Sequence, residues 1–237
     1  MTKNKKKKKG GSKCRLLLRK ALSVVLVATL SICCWEISKK QFAYKKSTVV
    51  YNKIEQEKNE SKNLKVFLSK HDMDWITITN TAINYPLMKT DDNNFYINHN
   101  YKGESDIAGA IFYDASDKPY NETATIIYGH SMNNGTMFNN LHYFQQDHER
   151  FSESKLIIDT ERGKTTYKPL GYYTTTNDIF YRSLDDMLTQ DAVNIIKSKS
   201  NYFIDTEVKQ GAHIIALSTC DYSLGQKGRL IVFYIEE

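Results

Sequence analysis

Ile214-Ile215-Ala216-Leu217-Ser218-Thr219-Cys220-Asp221-Tyr222 is the stretch around which the whole chain can be read. Its first half is a short aliphatic run, the pattern of a buried strand, and the strand delivers a cysteine at its end. Residues at strand ends are held by the scaffold yet open to a cleft. A thiol placed there acts as a nucleophile when a histidine and a stabiliser of developing negative charge lie beside it. A buried structural cysteine would sit in the same local sequence, because free Cys is among the most buried residue types. The remainder of the chain has to supply the partners.

Downstream, Arg229 lies nine residues after Cys220, across a loop holding Gly225 and Gly228, at the start of the run Leu230–Ile235. If the two strands pair, Cys220 and Arg229 stand side by side at one end of a sheet. A guanidinium offers a fixed fork of donors to an oxyanion or to substrate carbonyls; an edge-capping charge is the plainer reading. Six histidines are available. His130 follows the run Thr125–Tyr128 and a glycine, so it also ends a strand and ranks first. His99, in the loop Asn98-His99-Asn100, ranks second. His213 is seven positions from Cys220 on the same strand, which turns it to the opposite face. His71 falls at the stalk junction and His148 in a charged stretch, so both are expected to be solvated, and His142 falls on a short helix.

Upstream, short β-branched and aromatic runs recur between Asn, Asp, Gly and Lys turns: Trp75–Ile78, Ile83–Leu87, Ala110–Tyr113, Thr125–Tyr128, Leu156–Ile158, Thr165–Leu170 and Gly171–Thr174. That pattern predicts a β-barrel or sandwich. Two helical interruptions are expected, Met137–Phe144 and the longer Ser183–Ser198, whose apolar face is Leu184, Met187, Leu188, Ala192, Val193, Ile195 and Ile196.

The net charge of +6 conceals an asymmetry. Residues 1–20 hold ten basic side chains and no acid, which leaves 23 Lys+Arg against 27 Asp+Glu, or about −4, for the rest. The folded part is therefore not a basic nucleic-acid binder. Ala21–Trp35 is an uncharged apolar run, roughly 22 Å long as a helix at ~1.5 Å per residue. This is short against a hydrocarbon core of ~30 Å, but Leu16–Leu18 and the snorkelling Arg19 and Lys20 extend it. The basic residues put the N-terminus in the cytoplasm and everything beyond Trp35 outside. A cleaved signal peptide is the alternative, but no A-x-A-like site follows the run. The predicted organisation is a basic cytoplasmic tail (1–20, irregular through residue 15), a single-pass membrane anchor (21–37), a helical stalk (38–63) and one folded domain (64–237). Cys14, Cys33 and Cys34 lie in the N-terminal segment, so Cys220 is the only cysteine of the folded domain and has no partner for a disulfide there.

Leu217-Ser218-Thr219-Cys220 with Arg229 nine residues on, together with Ile127-Tyr128-Gly129-His130, resembles the sortase family of cysteine transpeptidases. Further segments resemble its class B members: Trp75-Ile76-Thr77-Ile78, Ile83-Asn84-Tyr85-Pro86, Asn98-His99-Asn100, Gly109-Ala110-Ile111-Phe112, and Gly129-His130-Ser131-Met132 followed by Thr136-Met137-Phe138. Each is short; their order and spacing over roughly residues 64–235 make the match. The resemblance implies an eight-stranded sortase-type β-barrel with an N-terminal helix and a long helix before the cysteine strand, at the outer face of a Gram-positive cell membrane.

It further implies an enzyme that cleaves a C-terminal sorting signal on secreted proteins and joins the new carboxyl to an amine of peptidoglycan or its lipid-linked precursor. By motif, Cys220 is the nucleophile, His130 the acid and base, and Arg229 the oxyanion or substrate stabiliser. Ser218, Thr219 and Asn98 fall where members line the substrate groove. No cofactor and no metal are implied. The residues alone leave two alternatives: a pilin-polymerising or mainly hydrolytic sortase, and an anchored binding module with a structural cysteine.

Overall fold

The computed structural model describes residues 8–116, 123–177, 179–185 and 187–237, the side chains of 8–14 excepted. Residues 1–7 of the basic tail and the Cys14 side chain thus lie outside the described residues. The chain divides into two compact units, Met1–Lys46 and Ser47–Glu237. Helix α1 (Lys8–Glu60) starts inside the segment expected to be irregular through residue 15. The reason is cooperative: once the apolar run is helical, each further residue adds a backbone hydrogen bond without a new nucleation cost. Along this first unit Leu22, Val25, Leu26, Leu30, Ile32 and Trp35 are all exposed. The helix is long and apolar enough to cross a membrane by length and composition.

The second unit is a barrel. Its strands are β1 (Asp74–Ile78), β2 (Asn84–Met88), β3 (Ile111–Tyr113), β4 (Ala124–Tyr128), β5 (Leu156–Asp159), β6 (Lys164–Thr175), β7 (Tyr202–Phe203), β8 (Ile214–Cys220) and β9 (Arg229–Glu236). They hydrogen-bond in the order β5-β1-β2-β3-β4-β8-β9-β6, and a β5–β6 pairing closes the ring. Eight strands therefore form the closed barrel, and the two-residue β7 extends one edge of β6. Closure removes the unpaired edges that an open sheet or sandwich would leave. The two runs expected around residue 170 are one strand: β6 carries a bulge at Leu170 and continues through Gly171. The bulge bends β6, so the same edge serves β5 first and β7 later.

Three further helices cover the barrel: α2 (Leu64–His71), α3 (His148–Ser152) and α4 (Thr189–Lys199). The second unit also holds the end of α1, where Tyr51 and Ile54 are buried and Lys58 Nζ stands 4.4 Å from the Trp75 ring centroid. The helix expected over Met137–Phe144 is a 3₁₀ segment, Phe138–Gln145. The longer helix begins later than expected. Leu188 is extended (φ −66°, ψ 142°), so α4 starts at Thr189, preceded by a 3₁₀ turn at Phe180–Ser183. Leu184 and Met187 still pack on the sheet, but from irregular backbone, while Leu188 faces solvent.

The period of two along β8 and β9 sorts the core into two layers. Ile214, Ala216, Ile231, Phe233 and Ile235 face outward, under Ala192, Val193 and Ile196 of α4. Both faces of the β8–β9 hairpin are buried, which is why its sequence reads as a continuous apolar run rather than an alternation.

Candidate active site

The outward face of β4, β8 and β9 continues past the end of the helix-covered cluster, and there its residues change character. Tyr128 follows Ile126 on that face, Ser218 and Cys220 follow Ala216, and Arg229 precedes Ile231. Strand register sets their mutual placement: Tyr128 pairs with Ser218, and Cys220 pairs with Arg229. Directly opposed residues on one sheet face have Cβ atoms ~4.5–5.5 Å apart. A cleft of about 380 Å³ opens over them and brings together Cys220, His130, Arg229, Ser218 and Thr219, with Ile97, Tyr128 and Arg182 on its walls. Among its described lining residues there is no carboxylate, so two guanidiniums and a histidine set its electrostatics.

Cys220 is half-buried and unbonded to another cysteine. The Thr219 side chain turns away and donates to the Gly129 carbonyl at 2.8 Å, which ties the cysteine strand to the backbone just before His130. His130 Nε2 lies 2.7 Å from the Ile97 carbonyl. A carbonyl only accepts, so Nε2 carries the proton and Nδ1 is the nitrogen left free to exchange one. The 3₁₀ turn bearing Ile97 reaches His130 because residue 109 is glycine. It adopts φ +58°, and a Cβ there would lie 2.7 Å from the Ile97 oxygen. Gly228 serves the opposite wall: Asp221 N–H donates to its carbonyl at 2.9 Å, and a Cβ on it would strike the Asp221 backbone. Arg229 is half-buried, and its Nη1 donates to the Gly228 carbonyl at 3.0 Å.

Asn98 is exposed beside the cleft; its neighbour Ile97, rather than Asn98 itself, is among the lining residues. Of the other five histidines, His142 reaches the Cys220 carbonyl, with Nε2 at 3.1 Å, and four are occupied elsewhere. His99 stacks on Phe95 at 4.3 Å. His148 stacks on Tyr202 at 4.0 Å and lies 2.9 Å from the Tyr172 hydroxyl. His71 packs on Phe67. His213 is buried on the inward face between Thr125 and Tyr167, and burial pushes its imidazole down to about 4. A larger cavity, about 520 Å³, lies between the end of α1 and the β1–β2 hairpin, but neither cysteine nor histidine lines it.

Two features of the cleft escaped the reading of the sequence. Tyr128 donates its hydroxyl to Asp114 at 2.7 Å, and burial, reinforced by that carboxylate, holds the phenol well above its usual range. Burial works to raise Asp114 as well, but hydrogen bonds from Ser116, Tyr128 and Asn93 outweigh it and hold the carboxyl below its usual range. Tyr128 is therefore a neutral, fixed wall. Arg182 stands on the 3₁₀ turn Phe180–Ser183, just before the stretch read as a helix. The quoted Tyr128-Gly129-His130 motif was a signal for the first; nothing local marked the second.

A sortase-domain family profile matches residues 76–234. Sortase B of Listeria monocytogenes is 30% identical over 242 residues, covering 93% of this chain and 97% of the relative. Sortase B of Staphylococcus aureus is 31% identical over 172 residues, covering 70% of this chain and 69% of the relative. Among solved structures, sortase B from B. anthracis in complex with AAEK1 superposes with a TM-score of 0.69 at 32% identity, covering 82% of this chain and 98% of that one.

Proposed function

The chain belongs to the sortase family and to its class B group, cysteine transpeptidases, and on that footing we propose that it cleaves a C-terminal sorting signal through a Cys220 thioester and passes the acyl group to an amine. The observation that carries this reading is the Cys220–Arg229 ladder pair, open to one cleft with His130.

The residues fit the steps. The Cys220 thiolate attacks the scissile carbonyl carbon, and the oxygen takes up negative charge that the Arg229 guanidinium is placed to stabilise. The C–N bond then breaks, and His130 gives a proton to the leaving amine. The acyl group remains on sulfur as a thioester. An incoming amine attacks the thioester while His130 takes its proton, the new amide forms, and the thiolate is released. His130 makes both transfers through Nδ1, since Nε2 is committed to the Ile97 carbonyl. Ser218 forms the floor of the groove in this reading, Thr219 lines it beside Cys220 with its hydroxyl spent on Gly129, and Asn98 stands at its rim.

The acceptor is an amine of peptidoglycan or its lipid-linked precursor, and the client is a secreted protein. Residues 21–37 anchor the enzyme, with the basic tail in the cytoplasm and the barrel outside. The apolar, solvent-exposed stretch of α1 supports that topology. The test is a library of sorting-signal peptides incubated with the enzyme, with and without a glycine or diamino-acid amine, and read by mass spectrometry. Amide products that appear only with the amine support transpeptidation. Free carboxylate products in both arms would mark a hydrolase, and no cleavage of any peptide would overturn the reading.

A further inference from the structure

Cys220 is the last residue of β8, and the two sides of its backbone are treated differently. Toward β9 the ladder continues, with Asp221 N–H donating to the Gly228 carbonyl at 2.9 Å. In an antiparallel pair, bonds that flank the Cys220–Arg229 rung in this way turn the N–H and C=O of Cys220 itself to the other side, toward β4. But β4 has ended: its last rung is Tyr128 to Ser218, followed by Gly129 N–H to the Ser218 carbonyl at 3.3 Å. The Cys220 carbonyl therefore has no strand to receive it.

His142 takes that place. It comes from the 3₁₀ segment Phe138–Gln145, and its Nε2 lies 3.1 Å from the Cys220 carbonyl oxygen. Its Nδ1 lies 3.1 Å from Gln145 Oε1, and Gln145 Nε2 donates to Asp221 Oδ2 at 3.4 Å. The far oxygen of the buried Asp221 receives the Ser223 N–H and hydroxyl at 3.1 and 2.6 Å. A carbonyl only accepts, so Nε2 carries the proton of the neutral imidazole and the grip on the residue that bears the thiol is direct; Gln145 separately holds the residue after it. We propose that His142 is a positioning residue: by donating to the main-chain carbonyl of Cys220 it supplies the rung that β4 does not, and so fixes where the thiol stands relative to His130 and Arg229. It touches neither substrate nor sulfur in this role. A thiol held on a frayed strand end misses the near-attack geometry, which lowers the rate of the chemical step more than it weakens substrate binding.

The proposal rests on Cys220 being the nucleophile, and the experiment separates the two. The full-length chain in detergent is assayed on the library peptide that the wild type cleaves fastest. The variants are His142→Phe and His142→Leu, which remove the donor with different shapes so that one misfolding does not end the test; His142→Gln, which keeps an N–H donor at the same reach; and Cys220→Ala. Loss of one such hydrogen bond corresponds to roughly three- to tenfold in rate. The expected result is that kcat falls by that factor in the folded donor-free variants with KM unchanged, and stays within about twofold of wild type in His142→Gln. An unchanged kcat in the donor-free variants, or an equal loss in His142→Gln, overturns the role of His142 while Cys220→Ala remains inactive. Activity in Cys220→Ala overturns the reading on which it rests.

Discussion

His130 and Arg229 line one cleft with Cys220, and the proposed mechanism gives them different work. His130 is tethered through Nε2 to a carbonyl, which leaves one nitrogen for proton transfer. Arg229 is fixed across the ladder from the thiol and has donors to spare beyond the one it gives to Gly228. General acid–base groups contribute ~10²–10⁴-fold, and one oxyanion donor ~10²–10³-fold. His130→Ala is therefore expected to nearly abolish turnover and to flatten the pH profile that remains. Arg229→Lys keeps the charge but loses the planar fork. It is expected to lower kcat/KM strongly while preserving the shape of the profile, because Cys220 and His130 are both retained. His99→Gln, altering a ring that stacks on Phe95 outside the cleft, serves as the control. The measurement is kcat/KM against pH for the three variants on one peptide. An inactive His99 variant beside an active His130→Ala would contradict the assignment of the base.

At the scale of elements, the pairing of β8 with β9 was open to reading in advance because both strands are continuous apolar runs joined by one glycine-bearing loop. The odd spacing from Cys220 put His213 on the opposite face of the strand, and the structure places it there, between Thr125 and Tyr167. That location has a consequence for stability. An imidazole held near 4 in the folded protein against an ordinary 6.5 takes up its proton first in the unfolded chain. The contribution of His213 to stability is fully present above about pH 6.5, is lost as pH drops from there toward 4, and changes no further below; it corresponds to about 3 kcal/mol. In urea denaturation, the stability of His213→Gln relative to wild type is expected to rise by about that amount between pH 7 and pH 3.5; a constant difference across that range would contradict it. Other parts of the site carried no advance signal. Ile97 acts through a backbone carbonyl 33 positions from His130, and His142 reaches the backbone of Cys220 from 78 positions away. Such contacts depend on where irregular 3₁₀ turns come to lie, not on residue type or period. The start of α4 was misjudged for a related reason: Leu184 and Met187 share its apolar spacing and its packing surface without sharing its backbone.

At the scale of the molecule, composition and fold divide the chain consistently. The basic block and the exposed apolar run lie before residue 38, whereas the barrel, its covering helices and the cleft lie within Ser47–Glu237. Deleting residues 1–38 is expected to leave a soluble protein that melts cooperatively and cleaves the same peptides as the full chain. An unfolded product, or a folded one that has lost activity, would contradict the proposal that the N-terminal segment serves only as an anchor. The central claim is that acyl transfer passes through the thiol of Cys220, and rapid-quench mass spectrometry during cleavage tests it most directly. The account predicts an acyl adduct on the peptide containing Cys220 that appears with the leaving fragment, decays on addition of amine, and is absent from an otherwise stably folded Cys220→Ala variant. Cleavage that persists in Cys220→Ala, or turnover with no adduct at any quench time while product accumulates, would contradict it.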